Sequence, residues 1–277
     1  MNTTHETQRI VIVTDLDGTL LDKDTYSYHK ARTALFAIQH RRIPVVFCSS
    51  KTRAEQVSHR RMLGVRDPFI VEDGGAILVE RGYFKVDFTF HHSTDDFHVI
   101  EFGTPYEVIR QAVDAIRSDT GIRLKGYGDM VPAEVAELTG LDRQSAELAM
   151  KREYQETIVS VHKPDELETL TNAFAHHGLR LTKGGRFLAV SGQHDKGTAV
   201  EVLAALYGRE FGAVRVVGIG DSHNDLSMLS AVDVPALVQK GPDAWEAIGT
   251  PNLVRVEGVG PEGWNRFVMD YLTNQAK

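Results

Sequence analysis

The run IVIV at 10–13 is apolar at every position, with none of the alternation of a strand that keeps one face in water. A strand of that kind is buried on both sides. Similar runs recur along the chain: IPVVF at 43–47, FIVEDGGAI at 69–77, VRVVGIG at 214–220, PALV at 235–238 and NLVRV at 252–256. Helical patterns separate them, over about 29–40 and 53–63, from 196, after Ser222 and from about 263. Continuous apolar strands spaced by helices predict an α/β fold, a doubly wound, Rossmann-like parallel sheet covered on both faces.

Between these two stretches the texture changes. Amphipathic helices are predicted over about 105–118, 132–138, 142–153 and 164–176, interleaved with short strands in HVIEF, GIRLKGY, ETIVSV and LRLTK. We expect residues 1–86 and 186–277 to form the sheet domain, and 87–185 to form a smaller α+β unit inserted into it. No internal repeat or low-complexity tract interrupts this plan.

At 277 residues, with 42% hydrophobic and 25% charged, the chain is long enough for a large core. Its formal net charge of -7 offers no general attraction for nucleic acid or an anionic membrane, so an anionic substrate must be held by local cations. The polar start MNTTHETQR leaves no apolar segment of a signal peptide, and no run reaches the roughly 18 apolar residues of a membrane span. The single Cys48 permits no internal disulfide, and a cytoplasmic setting is expected.

In an open parallel sheet, ligands bind beyond the carboxyl ends of the strands. There the chain places Asp15 and Asp17 after the first strand, Ser49, Ser50 and Lys51 after the second, Asp195 and Lys196 before a late helix, and Asp221, Asn224 and Asp225 after VRVVGIG. Carboxylates from Asp15, Asp17, Asp221 and Asp225 meet without mutual repulsion only around a hard cation, and an all-oxygen shell suits Mg²⁺. Asp15 is the expected nucleophile toward a phosphoryl group, with Asp17 as acid and then base, and Gly18 permitting the turn between them. Ser49 and Lys196 are expected to hold the phosphoryl oxygens, with Asn224 beside them.

DLDGT at 15–19, Ser49, Lys196 and GDSHND at 220–225, in that order, resemble the four motifs of the haloacid dehalogenase-type phosphatases, with serine where threonine is common in the second. The insertion is similar to that superfamily's α+β cap. Within it, GYGDM (126–130), VAELTGL (135–141), KREYQET (151–157) and GGRF (184–187), with SSKTRAE and VEDGGAI in the core, resemble the mannosyl-3-phosphoglycerate phosphatases. The resemblance implies a Mg²⁺-dependent phosphatase for a small sugar-phosphate, releasing phosphate and mannosylglycerate, and working as a monomer or homodimer. Arg186 and Arg152 become candidates for the glyceryl carboxylate, Lys51 for the substrate, and Glu153 or Glu156 for sugar hydroxyls. Rival readings are a phosphatase of the same fold for glucosyl-3-phosphoglycerate, sucrose-phosphate or trehalose-phosphate, a phosphomannomutase-like transferase, and a catalytically silent sensor.

Other motifs fail on spacing. Gly18 comes too early for a calcium loop, His223 occupies the third glycine position of a dinucleotide fingerprint, and no G-x-S-x-G elbow supports a serine triad. HHSTDDFH at 91–98 lacks the cysteines or the helical His spacing of a zinc site.

Overall fold

A computed structural model describes residues 8–183 and 186–274. Five parallel strands form the central sheet: β1 (Arg9–Thr14), β2 (Val45–Phe47), β10 (Val214–Gly220), β11 (Val234–Gln239) and β12 (Val254–Val259), in the order β12-β11-β10-β1-β2. Ile12 faces one apolar cluster with α1 (Arg32–His40) and α9 (Pro261–Asn274); Val11 and Val13 face another with α7 (Lys196–Phe211) and α8 (Leu226–Ser230). Burial on both faces is why IVIV needs no alternation. The chain leaves β1 toward β2 on one side and returns to β10 on the other, so β1 lies at the switch point, where a crevice opens beyond the strand ends.

Local chemistry sets several element ends. The helix α2 (Arg53–Leu63) starts at a capping box: Thr52 Oγ1 accepts the Glu55 N–H and Glu55 accepts that of Thr52. It stops at Gly64, in the left-handed region at φ +66°.

Beyond β2 the sheet continues, through a parallel bridge from Cys48 to Ile70, into antiparallel strands β3 (Phe69–Val71), β4 (Ala76–Glu80), β5 (His92–Ser93) and β6 (Phe97–Glu101), ordered β3-β4-β6-β5. The inserted unit packs α3 (Tyr106–Thr120), α4 (Pro132–Thr139), α5 (Arg143–Ala149) and α6 (Pro164–His176) with β7 (Gln155–Ile158), β8 (Arg180–Lys183) and β9 (Leu188–Ser191), ordered β7-β9-β8.

Strand pairing crosses both seams expected from the sequence. Phe97–Glu101, placed in the insertion, pairs along its length with β4, and Leu188–Ser191, placed in the core, pairs with β7 and β8. We therefore propose 103–191 as the inserted unit. GIRLKGY forms no strand beyond one bridge from Gly126 to Ile158, and the helix predicted to reach 153 ends at Ala149. The Gly184 and Gly185 of GGRF, and residues 1–7 and 275–277, lie outside the described residues.

Candidate active site

The parallel register of β1 and β10 pairs Thr14 with Ile219, and the Asp15 N–H donates to the Ile219 carbonyl at 3.0 Å. Adjacent strands thereby deliver Asp15 and Asp221, far apart in sequence, to one end of the sheet. Asp225 joins them on the turn after β10, its Oδ2 accepting the N–H groups of Asp221 and Ser222 at 3.0 and 3.1 Å. Carboxylate oxygens of Asp15, Asp221 and Asp225, all buried, lie within 4.8 Å of one another.

Lys196, the first residue of α7 and fully buried, reaches into this group. Its Nζ donates to Asp15 Oδ1 at 2.8 Å and Asp225 Oδ1 at 2.7 Å, and lies 3.7 Å from Asp73 Oδ1. Burial pushes the Asp15 carboxyl well above the usual carboxylate range; Lys196 opposes this, while Asp225 and Asp221 reinforce it. Burial, then the neighbouring Asp225, raises Asp221 to about 6. Burial works to discharge Lys196, but Asp15 and Asp225 outweigh it and hold the ammonium well above its ordinary value.

Three clustered carboxylates with one ammonium, bonded to Asp15 and Asp225, leave excess negative charge in a buried space. That charge, together with an all-oxygen donor set, fits a hard divalent cation. Gly18, at φ +80°, belongs to the same fit: a Cβ there would come 2.9 Å from Asp221 Oδ2 and crowd that carboxylate. Thr19 Oγ1 approaches the other oxygen of Asp221 at 3.4 Å.

Asp17 stands apart from this trio. Its Oδ2 pairs with Lys51 Nζ at 2.9 Å, and its Oδ1 is buried without a hydrogen-bond partner among the described residues. Expected among the metal-ligating carboxylates, Asp17 lies outside the trio and presents an unpartnered oxygen beside a fixed cation. Lys51, expected on the substrate, is buried between Asp17 and Glu55 and lies over the Tyr26 ring at 4.9 Å. Ser49 is buried after β2, on the side of β1 opposite β10. Asn224 is exposed, and its Oδ1 accepts from Ser222 Oγ at 2.6 Å.

The inserted unit supplies a second layer. Arg152 donates from Nη1 to the Ser50 carbonyl at 2.8 Å and to Gln155 Oε1 at 3.3 Å, and from Nε to the Ala149 carbonyl. Arg186 is exposed over the Phe187 ring at 5.4 Å; Tyr127 lies within 6.3 Å of Phe187 and 5.9 Å of the Arg152 guanidinium, so both arginines border one aromatic pair. The two glutamates are committed elsewhere. Glu153 pairs with Arg53 at 2.8 Å, and buried Glu156 accepts from Tyr106 Oη, Arg110 Nη1 and the N–H groups of Tyr127, Gly128 and Thr157. Five donors among the described residues satisfy that carboxylate, two of them the N–H groups of Tyr127 and Gly128 in the GYGD turn.

Sequence reasoning missed Glu72, Asp73, Tyr154 and Gln155. Asp73 N–H donates to the Ser49 carbonyl at 3.1 Å, and its Oδ2 accepts from Gln155 Nε2 at 3.1 Å, joining the two parts beside Lys196. VEDGGAI and KREYQET marked these places, but no strand-end rule singles out their polar residues. Trp264, buried on α9, also escaped notice; its Nε1 donates to Thr14 Oγ1 at 3.0 Å and braces the end of β1.

Comparison with known proteins supplies the family. A Methanococcoides burtonii protein named glucosyl-3-phosphoglycerate/mannosyl-3-phosphoglycerate phosphatase is 42% identical over 95% of this chain and 97% of its own. A Pyrococcus horikoshii protein named mannosyl-3-phosphoglycerate phosphatase is 35% identical over 82% and 90%. Among solved structures, a Thermoplasma acidophilum protein superposes with a TM-score of 0.65 at 18% identity, covering 96% of this chain and 99% of that one. A haloacid dehalogenase-like hydrolase from Bacteroides thetaiotaomicron gives 0.62 at 17%, covering 95% and 99%. The family profile described as haloacid dehalogenase-like hydrolase matches residues 12–248, and the chain belongs to that family.

Proposed function

We propose that this chain hydrolyses mannosyl-3-phosphoglycerate to mannosylglycerate and inorganic phosphate, with glucosyl-3-phosphoglycerate as a second substrate. The observation that carries the reaction type is the meeting of Asp15 with Lys196, Asp221 and Asp225 at the end of the central strand. The substrate class rests on relatives at 42% and 35% identity, named for these phosphoglycerates, and the first of them is named for both sugars.

Asp15 attacks phosphorus in line and becomes an aspartyl phosphate as the bond to the glyceryl oxygen breaks. Asp17, oriented by Lys51, gives its proton to that departing oxygen through the unpartnered Oδ1, then takes one from the water that hydrolyses the intermediate. Lys196 and the Ser49 hydroxyl hold phosphoryl oxygens, with the Asn224 amide at the rim. A Mg²⁺ held by Asp15, Asp221 and Asp225 would screen the phosphoryl charge and keep Asp15 ionised against its burial. Arg186 and Arg152 face the glyceryl carboxylate in this reading, while the inserted unit excludes water.

No helix among the described residues is long and apolar enough to cross a membrane, and a small soluble substrate handled in the cytoplasm, by a monomer or homodimer, completes the proposal. The test is phosphate release across a panel of sugar phosphates, with Mg²⁺ and with chelator, and without added bisphosphate. Preferential, Mg²⁺-dependent release from the two glycosyl-3-phosphoglycerates is expected. Preference for sucrose- or trehalose-phosphate, a need for a bisphosphate, or no turnover of any phosphoester would overturn it.

A further inference from the structure

The chain leaves β3 through Glu72, Asp73 and Gly74 at φ of +47°, +56° and +100°, two of them non-glycine residues in the left-handed region. Such strain persists only where surrounding contacts fix it. Here the Glu72 N–H donates to the Lys51 carbonyl at 3.2 Å, the Asp73 N–H to that of Ser49, and the Gly75 N–H to that of Val71. The corner is thus tied to the loop that follows β2.

It directs the Glu72 carboxylate, wholly buried, at the inserted unit. Glu72 Oε1 accepts the N–H of Glu153 and Oε2 that of Tyr154, both at 2.9 Å. The Tyr154 side chain sits between Gly75 and Gly103, where added Cβ atoms would come to 2.6 and 2.7 Å from its nearest atoms, and its hydroxyl donates to Glu101 at 2.6 Å. The residues on either side of this joint are Arg152, which reaches Ser50, and Gln155, which reaches Asp73 next to Lys196.

We propose that Glu72 is a positioning residue: by gripping two successive amides of the inserted unit, it sets Arg152 and Gln155 beside the phosphoryl site and so governs recognition of the glycosyl-glycerate portion, leaving the chemistry at Asp15 alone. This rests on the phosphatase reading above. Within it, Glu72 acts only through the segment 152–155. Small phosphomonoesters, which need no such recognition, are indifferent to it.

The experiment compares wild type with Glu72→Gln and Gly103→Ala, using mannosyl-3-phosphoglycerate and p-nitrophenyl phosphate, with near-UV circular dichroism as the check on folding. Glutamine is isosteric, but turns an amide NH₂ toward a backbone N–H. The alanine methyl displaces the Tyr154 ring without touching charge. Both variants should raise KM for the glycosylated substrate by about tenfold or more, with kcat for p-nitrophenyl phosphate within about twofold of wild type. An unchanged KM in a folded variant, or an equal loss on both substrates, overturns the proposal. Should Glu72→Gln fail to fold, Gly103→Ala decides alone. If wild type ignores mannosyl-3-phosphoglycerate but hydrolyses another sugar phosphate, the substrate reading fails, and the same comparison on that sugar phosphate still tests Glu72.

Discussion

Adding Mg²⁺ to metal-free protein should raise its thermal midpoint, and the rise should depend on pH in a direction fixed by the acid cluster. The oxygens of Asp15, Asp221 and Asp225 lie within 4.8 Å of one another, a geometry the unfolded chain does not keep, so the ion binds the native state alone. At a hundredfold excess over its dissociation constant, such a ligand stabilises by about 2.7 kcal/mol. Taking an unfolding entropy of about 2.1 cal/mol/K per residue, a chain of this length gains roughly 5 °C. Protons compete for the same oxygens. With Asp221 at about 6, one pH unit below that value weakens apparent binding about tenfold, or about 1.4 kcal/mol, and Asp15 acts in the same direction. The shift at pH 5 should therefore be about 2 °C or more below that at pH 7.5. Differential scanning calorimetry on chelator-treated protein, with and without Mg²⁺ at both pH values, measures it. A shift equally large at pH 5, or one retained in full by Asp221→Asn, would refute the placement of the ion.

Asp17→Asn keeps the nucleophile and removes the proton donor, so phosphate release should fall by about 10² to 10⁴-fold with the thermal midpoint little changed; Asp15→Asn should abolish turnover in a protein whose circular dichroism matches wild type. Lys196→Met leaves the Asp15 and Asp225 carboxylates without their ammonium, and urea denaturation of metal-free protein should show a loss of roughly 3–5 kcal/mol. Burial raises Glu72 from 4.5 to about 7, so between those values the native state keeps a proton that the unfolded chain has released. Stability is therefore lost as pH rises through that window, by up to about 3 kcal/mol from this group, and urea titrations of Glu72→Gln should show a flatter slope there.

Continuous apolar runs specify strands buried on both faces, and these need helices above and below; the β1, β10 and β11 segments were legible for that reason. The polar residues closing those runs, Asp15, Ser49 and Asp221, had no packing role, and Lys196 opened a helix with its side chain wholly buried. Asp15, Lys196 and Asp221 therefore converge where strand-end reasoning put them. The same reasoning put the Asp17 carboxylate with them, because it cannot know that Lys51 lies 2.9 Å away.

What the sequence by itself determined was the class of sheet and the presence of Asp15, Asp17, Asp221, Asp225 and Lys196 at strand and helix ends, since periodicity and strand ends are local properties of the chain. Tertiary structure alone decided how the inserted unit meets the core. The helical pattern running to 153 stops at Ala149, the Glu153 and Tyr154 N–H groups go to a buried carboxylate instead, and Glu156 becomes a hub for five donors. In the division proposed above, pairing likewise assigns β6 to the core and β9 to the insertion. The physical reason is common to all of these: a buried polar group must find its partner wherever the fold brings one, and that partner is not written in the neighbouring residues.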